Sequence, residues 1–451
     1  MATVAAFKGV LYNPERAGEL SRVTAPPYDI ISPAQQEGYY NDSPYNIIRL
    51  ILGKQHPEDS ETDNRYTRAA AFFKAWQEES VLKRDAVPGL YFYHQEFSGG
   101  EEGRLTRDGF IALVRLEERE EGVIIPHEKT LDQPKQDRLR LMKACSANFS
   151  SIFSLYSDPG DDINRMLKGA AADSSPMEAT DHDQTLHQLR RVSDPGMIRE
   201  VSRRLSGQSL FIADGHHRYE TALNYRRWLR ESNPRHTGKE SYNYVMMYLT
   251  PLQGRGLLIL PYHRVIQHIK SFEFEVFERK LQEYFDVARV AIDGSNQQAS
   301  LTAFMSRLRE EGNKRPAFGM YGLKQTCYHL LTLKEAVFSS LRDDETGSAS
   351  LKKLDVNVIE TFIFKQVLGI TSKDLQMEGN ITYVHHDTEC LDLVKDKGYQ
   401  LAFIMNPTRA EEIQDIAGRG ETMPQKSTFF YPKLLSGLVM NRIVPGEMIE
   451  P

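Results

Sequence analysis

Cysteine is scarce in this chain: three occur among 451 residues, Cys145, Cys327 and Cys390. They lie far apart and without CxxC spacing, which excludes a disulfide framework and a zinc knuckle and fits a reducing compartment. Long apolar runs are missing too. No stretch approaches the roughly 18 residues of a membrane span, and Met1–Val10 has no basic segment leading into an apolar one. Positive charge is not in excess, the net charge being −6, which argues against a dominant nucleic-acid footprint. No tandem repeat is evident. The expectation is a cytoplasmic, soluble protein with small-molecule partners and no membrane, leaving room for a local basic groove.

What is present is the composition of a folded protein, 40% hydrophobic and 26% charged, in a chain long enough for two domains. One stretch organises it, Phe211-Ile-Ala-Asp-Gly-His-His-Arg-Tyr-Glu-Thr-Ala222. Ser209–Ala213 reads as a short buried strand, Asp214-Gly215 as a tight turn, and Tyr219, Ala222, Leu223 and Leu229 as the apolar stripe of a helix. A helix N-terminus after a glycine turn leaves N–H groups for an anion, and glycine lets a ligand come close. Arg218 adds a fork suited to phosphate oxygens; His216 and His217 supply donors near neutral pH. A zinc site on His216 and Glu220 lacks a third ligand.

Before this stretch, Val23-Thr-Ala-Pro-Pro-Tyr-Asp-Ile-Ile-Ser-Pro33 is held extended by its prolines and forms a rigid loop presenting Tyr28 and Asp29, read as bracing a sheet edge. Thr67–Leu82 is an amphipathic helix; Gly89–His94 and Gly109–Val114 are strands. Asp158–Gln184, poor in large apolar residues, reads as a loop or mobile connection, and His187–Val192 as a strand. Tyr244–Leu249 and Gly256–Pro261 are expected as buried strands, with His263 and Arg264 after them able to reach the same cleft. Further on come helices over Phe272–Phe285, Leu301–Leu308 and Val356–Leu368, a hairpin over Ala317–Leu333, and strand, helix, strand over 381–405. The domains are placed at 1–265 and 266–451, the second closing the cleft.

Two more stretches carry chemistry. In Gly122-Val-Ile-Ile-Pro-His-Glu-Lys-Thr130, a strand ending at Pro126 delivers His127, Glu128 and Lys129 to a loop, and Lys135 and Arg138 follow on a helix running through Met142. A carboxylate among cations is what activating a hydroxyl near phosphate requires; the plainer reading is a cluster of surface ion pairs. In Met423-Pro-Gln-Lys-Ser-Thr-Phe-Phe-Tyr-Pro-Lys433, Lys426-Ser427 invites a P-loop reading. Gln425 stands at the second glycine position, however, and Pro424 removes an N–H the cradle would use. Lys426, Ser427 and Thr428 remain single phosphate contacts, and Phe429 and Phe430 core residues.

Pro126-His-Glu128, Asp214-Gly-His-His-Arg218 and Lys426-Ser-Thr428 occur in the order of matching segments in free L-serine kinases of the ParB/sulfiredoxin superfamily. Over nearly its full length the chain also resembles a bacterial domain-of-unknown-function family. The resemblance implies a mixed α/β (α+β) fold: a ParB/sulfiredoxin-like catalytic domain with an N-terminal extension, then a C-terminal α/β domain. It implies a free-serine kinase forming O-phospho-L-serine from ATP, ADP or pyrophosphate. Glu128 would be the general base, with His217 and Arg218 beside it in catalysis. Gly215, His216, Arg218, Lys129, Lys426, Ser427 and Thr428 would hold phosphate, and His127, Asp214, His217 and Arg264 the substrate. Asp214 would also hold Mg²⁺. The compact kinases lack most of the first 120 residues and carry cations where Phe429 and Phe430 stand, so Lys433 or Arg264 would have to hold the substrate carboxylate. The alternative is a ParB-like nucleotide-binding regulatory or DNA-associated module. Oligomeric state stays open.

Overall fold

Leu90–Tyr93 and Phe110–Val114 are buried at successive residues, as in strands covered on both faces, and they pair antiparallel. In the computed structural model, which describes residues 1–254, 256–370 and 380–451, they lie inside a nine-stranded sheet. Its strands are β1 (Val4–Ala5), β2 (Leu90–Ser98), β3 (Arg104–Arg115), β4 (Ile124–Pro126), β5 (Ile152–Tyr156), β6 (Met177–Thr180), β7 (Leu186–Val192), β8 (Leu210–Asp214) and β9 (Tyr244–Pro251). The order is β4-β8-β5-β9-β3-β2-β7-β6, with β1 beside β3. Pairing is mixed: β8 runs parallel to β4 and antiparallel to β5.

The chain divides into two compact units, the first of residues 1–126, 130–258 and 430–451, the second of 127–129 and 259–429. Against the single cut expected at residue 265, three residues around Glu128 group with the second unit and the C-terminal segment returns to the first. The return has a physical basis in backbone pairing, since Asn441–Arg442 forms a ladder with Ala147–Asn148 and Met440 bridges to Val10. The first unit's core gathers Phe92, Phe110, Ile152, Ile212, Met247 and Ile443.

The second unit has a six-stranded antiparallel sheet. Its strands are β10 (His263–Ile266), β11 (Phe285–Ala291), β12 (Ala317–Gly322), β13 (Cys327–Leu333), β14 (Ile381–Val384) and β15 (Leu401–Ile404). The order is β11-β13-β12-β15-β10-β14. Phe304, Leu308, Leu330, Val394 and Ile404 meet in its core.

Most expected elements are present, including the helix Arg65–Glu78, the β12–β13 hairpin and the helix His216–Glu231. Three differ. Asp158–Gln184 is not a bare connection: it carries the helix Asp162–Ala170 and strand β6, because Ile163 and Leu167 bury one face of a short helix. The strand in Gly256–Pro261 is only Leu258–Leu260, and half-buried. The helix in Val356–Leu368 becomes π-helical over Ile359–Val367, a register the apolar spacing does not encode.

Candidate functional site

Strand β8 ends at Asp214, Gly215 takes φ +96°, and His216 opens the helix. That positive φ favours glycine, and the space beside it is filled from within the chain. A Cβ on Gly215 would stand 2.9 Å from the Arg218 guanidinium. The glycine therefore admits Arg218, where the expectation was close approach of a ligand. Arg218 Nη2 donates to Asp214 Oδ2 and Nη1 to the Ser151 carbonyl, so part of its fork is already engaged.

The other Asp214 oxygen, Oδ1, accepts from Lys433 Nζ at 2.6 Å. Burial would raise this carboxyl, but Lys433, then Arg218, outweigh it and hold it well below the usual carboxylate range. With two cations on its two oxygens, Asp214 does not fit Mg²⁺. Among the described residues, no group of three or more His, Cys, Asp or Glu side chains is placed to hold a metal. His216 is buried beside Asp214 and adds to the positive field on it. His217 Nε2 accepts the Leu131 N–H at 2.9 Å; Leu131 is the N-cap of the helix Asp132–Cys145 and offers no side-chain cap.

In the second unit, two segments some 300 residues apart pair by backbone. Met423 N–H donates to the His127 carbonyl at 2.7 Å, and Lys129 N–H to the Met423 carbonyl at 3.2 Å. This fixes Glu128, half-buried, where Oε1 accepts the Ser427 N–H at 3.1 Å. His127 is fully buried, its Nε2 3.0 Å from Thr428 Oγ1. The Ser427 hydroxyl closes the turn onto the Pro424 carbonyl, and the Ser427 carbonyl accepts from Thr408. Ser427 and Thr428 are thus tied into the protein. Lys129 is exposed.

Lys426 adopts φ +58°, uncommon for a lysine. Its Nζ stands 5.1 Å over the Tyr262 ring, and its carbonyl accepts from Arg264 Nη2 at 3.3 Å. Arg264 is 1% exposed, donates to the Tyr262 carbonyl, and leaves Nε without a hydrogen bond. Burial lowers its pKa from the usual guanidinium value, opposed by the charges of Tyr383, Glu360 and Asp355. Burial, with the like charge of Glu412, pushes the Asp355 carboxyl up to about 8 against Arg409 and Arg264. Burial also raises Glu360. Asp355 and Glu360 carried no local motif; only the fold brings their charges to bear on Arg264, and that of Glu412 on Asp355.

His127, Glu128, Lys129, Arg264, Lys426, Ser427 and Thr428 thus fall in one unit, and Asp214, Gly215, His216, His217, Arg218 and Lys433 in the other. A family model described as a protein of unknown function, DUF1015, matches residues 4–357. The chain belongs to the DUF1015 family. The DUF1015 match includes the Glu128 and Asp214 stretches and ends before Lys426 and Lys433. No curated protein matches the chain.

Solved structures similar to this DUF1015 chain include a free serine kinase mutant in complex with ADP, with 12% identity, TM-score 0.35, and coverage of 71% of this chain and 87% of that one. A conserved hypothetical protein from Pyrococcus furiosus has 12% identity and TM-score 0.33 over 72% and 92%. SbnI with C-terminal truncation from Staphylococcus aureus has 12% identity and TM-score 0.34 over 72% and 85%. No helix among the described residues is long and apolar enough to cross a membrane.

Proposed function

We propose that this protein is a cytoplasmic phosphotransferase acting on a small hydroxyl acceptor, with free L-serine as acceptor, O-phospho-L-serine as product, and a ParB/sulfiredoxin-like catalytic region. The observation that carries the reading is Glu128: a half-buried carboxylate oriented by the Ser427 N–H on a segment that also bears Lys129, and paired with the segment bearing Lys426. In the proposed step, Glu128 takes the proton of the acceptor hydroxyl as its oxygen bonds to phosphorus. The bond from phosphorus to the leaving oxygen of ATP, ADP or pyrophosphate breaks, and the electron pair departs with the leaving group. Lys129 and Lys426 offset the charge on the transferred group. Such transfer depends on positioning and charge more than on covalent participation.

The test is a matrix of ATP, ADP and pyrophosphate against small hydroxyl compounds, followed by ³¹P NMR. Formation of O-phospho-L-serine with one donor is expected. A matrix without any phosphorylated product overturns the reading.

A further inference from the structure

The rigid loop of the first 50 residues has no part in that reading, yet its tyrosine has a specific place. Tyr28 lies in a short turn, Tyr28–Ile30, and the Arg138 guanidinium stands 3.9 Å over its ring. Both line a half-open pocket of about 50 Å³ together with Arg218, Ser150, Asn148 and Thr221. At ~10–15 Å³ per water, that is room for roughly three to five heavy atoms. A carboxylate with one or two carbons fits that space.

Charge gives the ligand's sign. Asp137 accepts from both Arg65 and Arg138, and Asp214 from both Arg218 and Lys433. Each carboxylate is shared by two cations, so each cluster holds one positive charge in excess, while Asp29, the neighbouring acid, is solvent-exposed. The guanidinium groups of Arg138 and Arg218 have N–H groups beyond those their partners use. The remaining wall, including Ile51, Leu141, Met142 and Val245, is apolar, which disfavours a doubly charged phosphate and admits a short carbon skeleton.

We propose that this pocket is the binding site for the carboxylate end of a small organic acid, with Tyr28, Arg138 and Arg218 as its contacts. Binding at this site goes beyond the phosphotransferase reading and stands independently of it. Burial, then the charge of Asp29, raises the Tyr28 pKa, so its hydroxyl keeps its proton and serves as a donor.

Isothermal titration without any phosphoryl donor tests it, using L-serine, glycolate, serinol (the serine skeleton without the carboxylate) and inorganic phosphate. L-Serine or glycolate is expected to bind, serinol not, and phosphate not to compete. Tyr28→Phe, which keeps the ring under Arg138, should weaken binding about tenfold, as losing one hydrogen bond to a charge does. Arg138→Gln should weaken it further, with circular dichroism reporting its fold. Equal binding of serinol, competition by phosphate, unchanged affinity in Tyr28→Phe, or no binding of either carboxylate overturns the inference. Carboxylate binding without phosphoryl transfer would keep this site and remove the kinase reading; transfer to L-serine with Tyr28→Phe unchanged would do the reverse.

Discussion

The backbone N–H of Ser427 donates to Oε1 of Glu128 at 3.1 Å, across 299 residues of sequence. Glu128 is therefore aimed by a donor that survives most side-chain changes. Glu128→Gln keeps an acceptor oxygen for that N–H and removes the basic carboxylate. Turnover is expected to fall at least ~10²-fold, the usual scale of losing a general base, with donor binding retained. Steady-state kinetics beside donor titration separates the two, and near wild-type turnover would remove Glu128 from the chemistry.

Lys433→Met leaves the half-buried Asp214 with one of its two cations. Removing one partner of a fully buried pair costs ~3–5 kcal/mol; with Arg218 still on Asp214 the loss should lie below that range, read by urea unfolding at pH 7. The pH dependence has a definite sign. The folded Asp214 pKa is depressed, so its contribution is complete above the unfolded pKa of about 4 and is lost as pH falls below it. In Lys433→Met the acid transition should begin at higher pH, and an unchanged acid midpoint would contradict the pairing.

Gly215→Ala sets a Cβ 2.9 Å from the Arg218 guanidinium at φ +96°. Backbone strain and displacement of Arg218 from Asp214 should together cost ~1–3 kcal/mol. In a double-mutant cycle with Arg218→Ala the displacement component disappears, so the two losses should sum to more than the double variant shows. Strict additivity would mean that Arg218 does not fill the space beside the glycine.

Asp355, with its pKa raised to about 8, acts in the opposite direction from Asp214. Its contribution is complete below the unfolded pKa of about 4 and is lost as pH rises through about 8, at up to ~1.4 kcal/mol per pH unit. Urea midpoints measured from pH 5 to 8 should fall more steeply in the wild type than in Asp355→Asn. Parallel profiles would show that Asp355 ionises normally.

Local structure was readable wherever one segment supplied both the pattern and its physical reason. The strand, Gly215 turn and helix around Asp214 follow from apolar period and from a φ that glycine tolerates, and Phe429 and Phe430 are buried as their aromatic character implies. The same reading missed the helix Asp162–Ala170, whose buried face is too short to show a period, and the π-helical stretch Ile359–Val367, whose hydrogen-bond register leaves no mark in residue type.

By itself the sequence determined which residue types were available: a carboxylate among cations, a glycine turn before a helix, and an arginine with a fork. Only the tertiary structure decided what each one meets. It turned Arg218 onto Asp214, brought Lys433 to the same carboxylate across 219 residues, and set Tyr28 under Arg138. Charged side chains act over a few ångströms in space, and separation along the chain says almost nothing about that distance once the backbone has folded.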